Sequence, residues 1–176
     1  MSRMVRENEA SGLRERVFLA RELMRELDAG RGGDGYARRL ALRGGVIFHL
    51  YSALLGVLRQ AARSYRVTGF ESALSLVALE KVFADAAVES AELNLIKRAR
   101  STPGDPVAWL EVQMQTACGA AGLARRPAPP QEEAGLAMRA DDPDVVLGEA
   151  DLLRLNEAIE RVSGLLDEVS RYAEEW

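Results

Sequence analysis

The sequence is poor in the residues that build covalent and metal-bound frameworks. It contains one cysteine, Cys118, and one histidine, His49, among 176 residues. A single cysteine excludes a disulfide framework within the chain and a cysteine-based zinc site. A single histidine excludes the paired histidines of di-iron helical bundles. No metal or other cofactor is predicted, and we expect Cys118 to be a buried, inert thiol.

The chain also has no long apolar run near its start. The most apolar stretch, residues 46–58, is interrupted by His49 and Ser52 and is shorter than the roughly 20 residues that span a bilayer. The N-terminus has no apolar segment of the kind found in secretory signals. These features predict a cytoplasmic protein without membrane association.

Charge of either sign is not in large excess, since 23 basic and 27 acidic residues give a net charge of −4. The distribution is uneven: residues 1–66 carry a balance of +6 and residues 67–176 a balance of −10. Such asymmetry can mark a nucleic-acid face. We favour charge compensation between neighbouring helices, because arginines and acids alternate along the first segment.

What the sequence does contain is helical periodicity, with apolar residues recurring every three or four positions. No segment has the alternation typical of a strand. The pattern predicts an all-α, up-and-down helical bundle of five to six helices, with a long second helix and a long C-terminal helix. The predicted helices cover residues 11–29, 36–66, 70–87, 90–100, 106–121 and 149–174. Residues 1–10 are predicted to be an N-terminal tail and residues 11–176 a single domain.

Several residues mark predicted helix ends. Ser11 is predicted to be the N-cap of the first helix, and Asp105 followed by Pro106 is a strong start signal for the fifth. Gly122 is predicted to close the fifth helix. The glycines of residues 30–35 lack the lysine and hydroxyl residue of a phosphate-binding loop, so they predict a flexible helix connection.

Two interruptions are predicted inside this pattern. Gly44 and Gly45 lie within the second helix, where each glycine costs roughly 1 kcal/mol relative to alanine, so a kink or break is expected there. Residues 124–148 are rich in proline and acid and are predicted to be a long connecting segment. We expect residues 145–147 to dock on the body of the bundle.

His49 shares one face of the second helix with small residues. That face contains Gly45, Ser52 and Gly56, which would allow a second helix to approach closely. We interpret His49 as a structural residue that hydrogen-bonds across a helix interface. The same four residues form the predicted interaction face for a protein partner or for self-association.

An alternative interpretation pairs His49 with Arg43. The spacing of arginine, five residues and histidine resembles the signature of HEPN ribonucleases, which are small helical bundles that dimerise. The resemblance implies that histidine transfers protons and arginine stabilises the charged phosphate of RNA. Arg43 and His49 are therefore candidate catalytic residues, although Gly44 and Gly45 stand where that family has a polar residue.

A basic cluster on the second helix gives a set of candidate nucleic-acid contacts. These are Arg38, Arg39, Arg59 and Arg63. Because aromatic residues are few on that face and make up 6% of the chain, stacking of single-stranded bases is poorly supported. Nucleic-acid binding is therefore a possible function but not the favoured one.

Four short motifs resemble an uncharacterised family of short gammaproteobacterial proteins. They are residues 47–56 (IFHLYSALLG), 90–93 (SAEL), 105–110 (DPVAWL) and 175–176 (EW). The resemblance implies an all-helical bacterial protein and no particular activity.

These observations favour a non-enzymatic protein that acts through protein–protein interaction or self-association. An RNA-directed nuclease or RNA binder of the HEPN type, using Arg43 and His49, is the alternative.

Overall fold

The computed structural model describes residues 3–30, 35–119, 122 and 146–174, and this part of the chain folds into six α-helices without a strand. The predicted all-α bundle with long second and last helices is therefore confirmed. A 3₁₀ turn, Phe70–Ser72, precedes the third helix. The helices are α1 Arg3–Ala29, α2 Tyr36–Ser64, α3 Leu76–Asp85, α4 Ala91–Ser101, α5 Pro106–Cys118 and α6 Glu149–Glu174.

The start of the first helix differs from the prediction. α1 begins at Arg3, so Ser11 lies inside the helix and is not its N-cap, and residues 3–10 are helical rather than a tail. The physical reason is that the residues before Ser11 include arginine, methionine, glutamate and alanine, which are all good helix formers. A single serine does not outweigh that preference.

The two ends of α5 differ in how well the sequence predicted them. Asp105 is the N-cap, its carboxylate accepts a hydrogen bond from the Val107 N–H at 2.9 Å, and Pro106 occupies the first turn as predicted. The helix ends at Cys118, with Gly119 rather than Gly122 following its last turn. Cys118 is consequently exposed at the end of the helix, and the prediction of a buried thiol is wrong.

The predicted third helix is split in two. Ser75 caps α3 by accepting a hydrogen bond from the Ala78 N–H, and the chain before it leaves helical geometry at Ala73. The Tyr51 hydroxyl accepts a hydrogen bond from the Leu76 N–H at 3.1 Å, which fixes the first turn of α3 on α2. Leu74, which lies between the 3₁₀ turn and α3, is 78% exposed as a result.

The second helix passes through Gly44 and Gly45 without the predicted break. Besides Arg43, its buried side chains form the centre of the core. They are Val46, Ile47, Leu50, Tyr51, Ala53, Leu54, Val57, Leu58, Ala61 and Ala62. Tertiary packing of this face outweighs the low helix propensity of two glycines.

The directions of the three long helices follow from their polar contacts. On α1, Arg14 donates to Ser170 and Arg21 donates to Glu160, so α1 and α6 are antiparallel. At its near end, α6 contacts the start of α2 through Asp151 and Arg43. α1 is formally neutral, but its Arg14 and Arg21 pair with Asp167 and Glu160 of the acidic α6, so charges compensate between neighbouring helices as predicted from the sequence.

The chain that enters α6 docks on the bundle. Leu147 is buried and Val146 packs against the core, as expected for the end of the connecting segment. The remainder of the predicted connection, residues 124–145, lies outside the described residues.

α2 is long and apolar enough to cross a bilayer by length and composition, although residues 46–58 alone are too short. A helix at the centre of a bundle has the same composition, and the apolar face of α2 is buried in this one. The absence of membrane association stays a prediction.

Candidate functional site

A groove runs between α1 and α2 on the side of α2 that faces away from α5 and α6. Its volume is about 660 Å³, which lies within the range typical of ligand-binding clefts. The groove is lined by Gly12, Leu13, Glu15, Arg16, Leu19, Phe48, His49, Ser52, Leu55, Gly56, Arg59, Gln60 and Arg63.

Two glycines of α2 lie directly beneath leucine side chains of α1 along this groove. A methyl group added at Gly45 would lie 2.7 Å from Leu23 Cδ1, and one added at Gly56 would overlap Leu13 Cδ2. Because Leu23 meets Gly45 and Leu13 meets Gly56, the two helices are antiparallel. The absence of side chains at these glycines lets the leucines of α1 reach the α2 backbone.

Part of the predicted interaction face packs against α1 of the same chain. Gly45 and Gly56 contact α1, so much of the small-residue face is covered by the protein itself. Ser52 lines the groove, and its hydroxyl donates to the His49 carbonyl oxygen at 3.0 Å. The surface that remains for a partner is the groove beside these residues.

The antiparallel register gives the groove two chemically different ends. Leu19 and Phe48 lie at one end, and both are large apolar side chains with substantial exposure, 37% and 53%. Arg59 and Arg63 lie toward the other end. His49 follows Phe48 at the apolar end, and the positive charge of Arg16 acts on its imidazole.

His49 is half-buried in the wall of the groove. Its ring meets the Phe48 ring edge-on, with centroids 5.6 Å apart. Nδ1 is enclosed and has no hydrogen-bond partner in the described part of the chain, so the predicted hydrogen bond across a helix interface is not formed. Burial lowers the pKa of His49 below its ordinary value of 6.5, and the charge of Arg16 lowers it further. The imidazole is therefore neutral at pH 7.

Arg59 is anchored at the basic end of the groove. Its Nη2 donates to the Ala73 carbonyl oxygen at 2.8 Å, while its Nε is buried without a partner among the described residues. The Arg63 guanidinium lies over the Phe70 ring, 5.7 Å from its centroid. Both arginines are thus held near the loop that leads to α3.

Arg43 occupies a different part of the molecule. Its side chain is 2% exposed, and its Nε and Nη2 each lie 2.7 Å from a carboxylate oxygen of Asp151. Nη2 also donates to Gln113 Oε1 at 2.7 Å, and the guanidinium lies over the Trp109 ring. Asp151 additionally accepts from the Leu147 N–H. The structure therefore does not bring Arg43 and His49 into one site.

The four arginines proposed for nucleic acid do not form one cluster either. Arg59 and Arg63 line the groove, but Arg38 and Arg39 lie on the first turns of α2. Arg38 pairs with Glu26 at 3.6 Å, and Arg39 donates to the Leu147 carbonyl oxygen at 3.5 Å. The third arginine that lines the groove, with Arg59 and Arg63, is Arg16 of α1.

Sequence reasoning missed the contribution of α1 to this groove. Arg16 and Leu19 lie three residues apart, so they share a face beside the buried stripe of Val17 and Ala20. The amphipathic pattern of α1 indicated its buried stripe. The sequence carried no signal for which exposed residues would lie opposite Phe48 and His49.

We expect the chain's single histidine to report the environment of the groove directly. An NMR titration of the His49 ring protons should give a pKa below 6.5. Arg16→Gln should raise that pKa only part of the way to 6.5, because burial is the larger cause of the shift and stays unchanged. Arg98→Gln, on an exposed position of α4, is the matched control and should leave the pKa where it is.

The lowered pKa of His49 also determines the direction in which protein stability changes with pH. The unfolded chain binds a proton at His49 more readily than the folded chain does, so stability from this group is present above pH 6.5 and decreases as the pH falls below it. A His49 pKa at or above 6.5 in the folded protein would contradict this description of the groove.

No family model, curated protein or solved structure matches this chain. The resemblance to short gammaproteobacterial proteins therefore stays a prediction. Over the residues that the structure describes, the fold and the groove define a bundle of six helices with an open cleft of mixed apolar and basic character.

Proposed function

We propose that this protein is a non-enzymatic interaction protein and that the α1/α2 groove is its docking surface for a protein partner. The observation that carries the proposal is the exposed apolar pair Leu19 and Phe48, which lies beside basic side chains in a groove between two helices. Aromatic and arginine side chains that become buried on association are enriched at protein interfaces, and Phe48 and Arg16 are of these types.

The same groove gives less support to an RNA-directed nuclease. Proton transfer to a phosphate needs an imidazole and a positive charge in one accessible place. Arg43 is bound to Asp151 and Gln113 inside the bundle, which removes it from the groove that holds His49. A nucleic-acid ligand is one outcome that the following experiment distinguishes.

The test compares co-purification with three tagged proteins from the native cell, each with and without nuclease. The groove variant is Arg16→Glu with Phe48→Ser, since neither side chain makes a hydrogen bond among the described residues. The control variant is Arg98→Glu with Leu153→Ser, which changes one arginine and one exposed apolar residue outside the groove. Thermal unfolding followed by circular dichroism checks that all three proteins fold.

We expect nuclease-resistant partners that the wild type and the control retain and that the groove variant loses by about tenfold or more. A second copy of the chain would be detected by light scattering as a dimer that the groove variant does not form. Partners held equally by all three proteins, or lost on nuclease treatment, would contradict the proposal.

A further inference from the structure

The length and walls of the groove indicate the shape of its occupant. From Phe48 to Arg63, α2 lines the groove over 15 residue steps, which at 1.5 Å per residue is about 22 Å. Both walls are helices whose side chains recur every three to four residues. An α-helix of about four turns matches this length, and its side chains would fit between those of the two walls.

The charge of the groove differs in sign from that of the whole chain. Its lining contains three arginines and one glutamate, a formal charge of +2, whereas the chain carries −4. Complementary charge favours an acidic occupant. The arginines provide several N–H donors that suit carboxylates.

The apolar residues that line the groove favour an acidic protein segment over a nucleic acid as its occupant. Leu13, Leu19, Phe48 and Leu55 face the groove, and these side chains gain from burying apolar surface of the partner. A phosphate backbone offers no such surface, and it would also meet the negative charge of Glu15. The observations therefore favour a protein helix.

We propose that the occupant of the α1/α2 groove is an acidic amphipathic helix of a partner protein, with large apolar residues against Leu19 and Phe48 and carboxylates against Arg59 and Arg63. This inference rests on the proposed function and adds the chemistry of the partner. It is a helix-in-groove interaction, in which anchors at positions i, i+3, i+4 and i+7 face the walls.

Binding of such a helix is expected to depend on pH through His49. The charged groups of the groove are Glu15 and Arg16 on α1 and Arg59 and Arg63 on α2, and the arginine charge favours a neutral imidazole in the free protein. Arg16 is the groove arginine whose charge acts on His49, so a partner carboxylate that pairs with Arg16 also favours the charged imidazole, and binding takes up a proton. Affinity should therefore increase as the pH is lowered from about 8 to about 6.

The test is a selection from a displayed library of random peptides of about 15 residues, the length of the groove. Full-length wild-type protein is the target, and the Arg16→Glu, Phe48→Ser variant removes binders that do not need the groove. A selected peptide is then synthesised with both ends blocked, and its affinity is measured by fluorescence anisotropy. Three changed peptides accompany it: glutamates to glutamines, a central proline, and a scrambled sequence.

The proposal expects selected peptides with acidic residues and large apolar residues at helical spacing. The glutamine and proline peptides should each bind at least about tenfold more weakly. Wild-type affinity should rise from pH 8 to pH 6, and His49→Gln should reduce this dependence while the Arg98→Gln control retains it.

Three outcomes would overturn the inference. Groove-dependent peptides that are neutral or basic, or that tolerate the central proline, would agree with the docking function. They would contradict an acidic helix as the occupant. Failure to select any groove-dependent peptide would also remove it, and the co-purification experiment would decide the docking function separately. Groove-dependent binding of a random single-stranded RNA pool of about 20 nucleotides, with no peptide selected, would overturn both.

Discussion

Replacing Asp151 by alanine should lower the free energy of unfolding by about 3–5 kcal/mol. The carboxylate is 7% exposed and accepts two hydrogen bonds from Arg43 and one from the Leu147 N–H. Without it, the Arg43 guanidinium stays buried with no opposite charge, and the chain entering α6 loses its attachment. Urea unfolding followed by circular dichroism measures the loss.

A matched substitution on the same helix provides the control. Asp167 pairs with Arg14 at 3.8 Å, but both side chains are about 60% exposed, so Asp167→Ala should change stability by less than about 1 kcal/mol. A double variant, Arg43→Met with Asp151→Leu, should recover about 2 kcal/mol of the loss because it removes the unpaired charge. Equal destabilisation by Asp151→Ala and Asp167→Ala would contradict this account.

Phe83→Ala should destabilise the protein by about 3–5 kcal/mol. Phe83 is fully buried, and with Leu76 and Leu79 it holds α3 against the bundle. α3 has only 10 residues, so its helical state depends on packing rather than on its own propensity. Removing the ring leaves a cavity under a helix that cannot persist unsupported.

Val77→Ala is the matched control for this change, because Val77 lies on the same helix and is 51% exposed. It should alter the free energy of unfolding by no more than about 0.5 kcal/mol. Thermal and urea unfolding of both variants distinguish the two positions. If the two substitutions had similar effects, α3 would not be held by the face that the structure assigns to it.

The two faces of α2 have different roles. One face supplies the centre of the core together with the Arg43 ion pair, and the other lines the groove with Phe48, His49 and Arg59. Variants in the core should therefore change stability, whereas Arg16→Glu with Phe48→Ser should change partner binding and leave the fold intact. This separation makes the docking proposal testable in a folded protein.

Much of the fold could be predicted from local chemistry. The repeating apolar pattern of α6 and the start signal at Asp105 and Pro106 act between near neighbours in the chain, so the sequence shows them directly. The prediction failed where local signals competed with packing. At Gly44 and Gly45 helix propensity favoured a break, but burial of the flanking apolar residues kept α2 continuous.

The candidate site could be predicted only in part. His49, Ser52, Gly56, Arg59 and Arg63 were identified from helical spacing, and all five line the groove. The partners of these residues could not be identified, because Arg16 and Leu19 reach them from a separate helix. No spacing rule within one helix specifies which residues of another will lie opposite.

The sequence by itself determined an all-α protein and its long helices, because helical period and capping depend on neighbours in the chain. Only the tertiary structure decided the surroundings of Arg43 and His49. Six residues apart on one helix, they point to different sides, and the contacts of α5 and α6 enclose one while α1 builds a groove beside the other. Burial, charge pairing and the pKa of a side chain depend on such distant neighbours, and only folding brings these together.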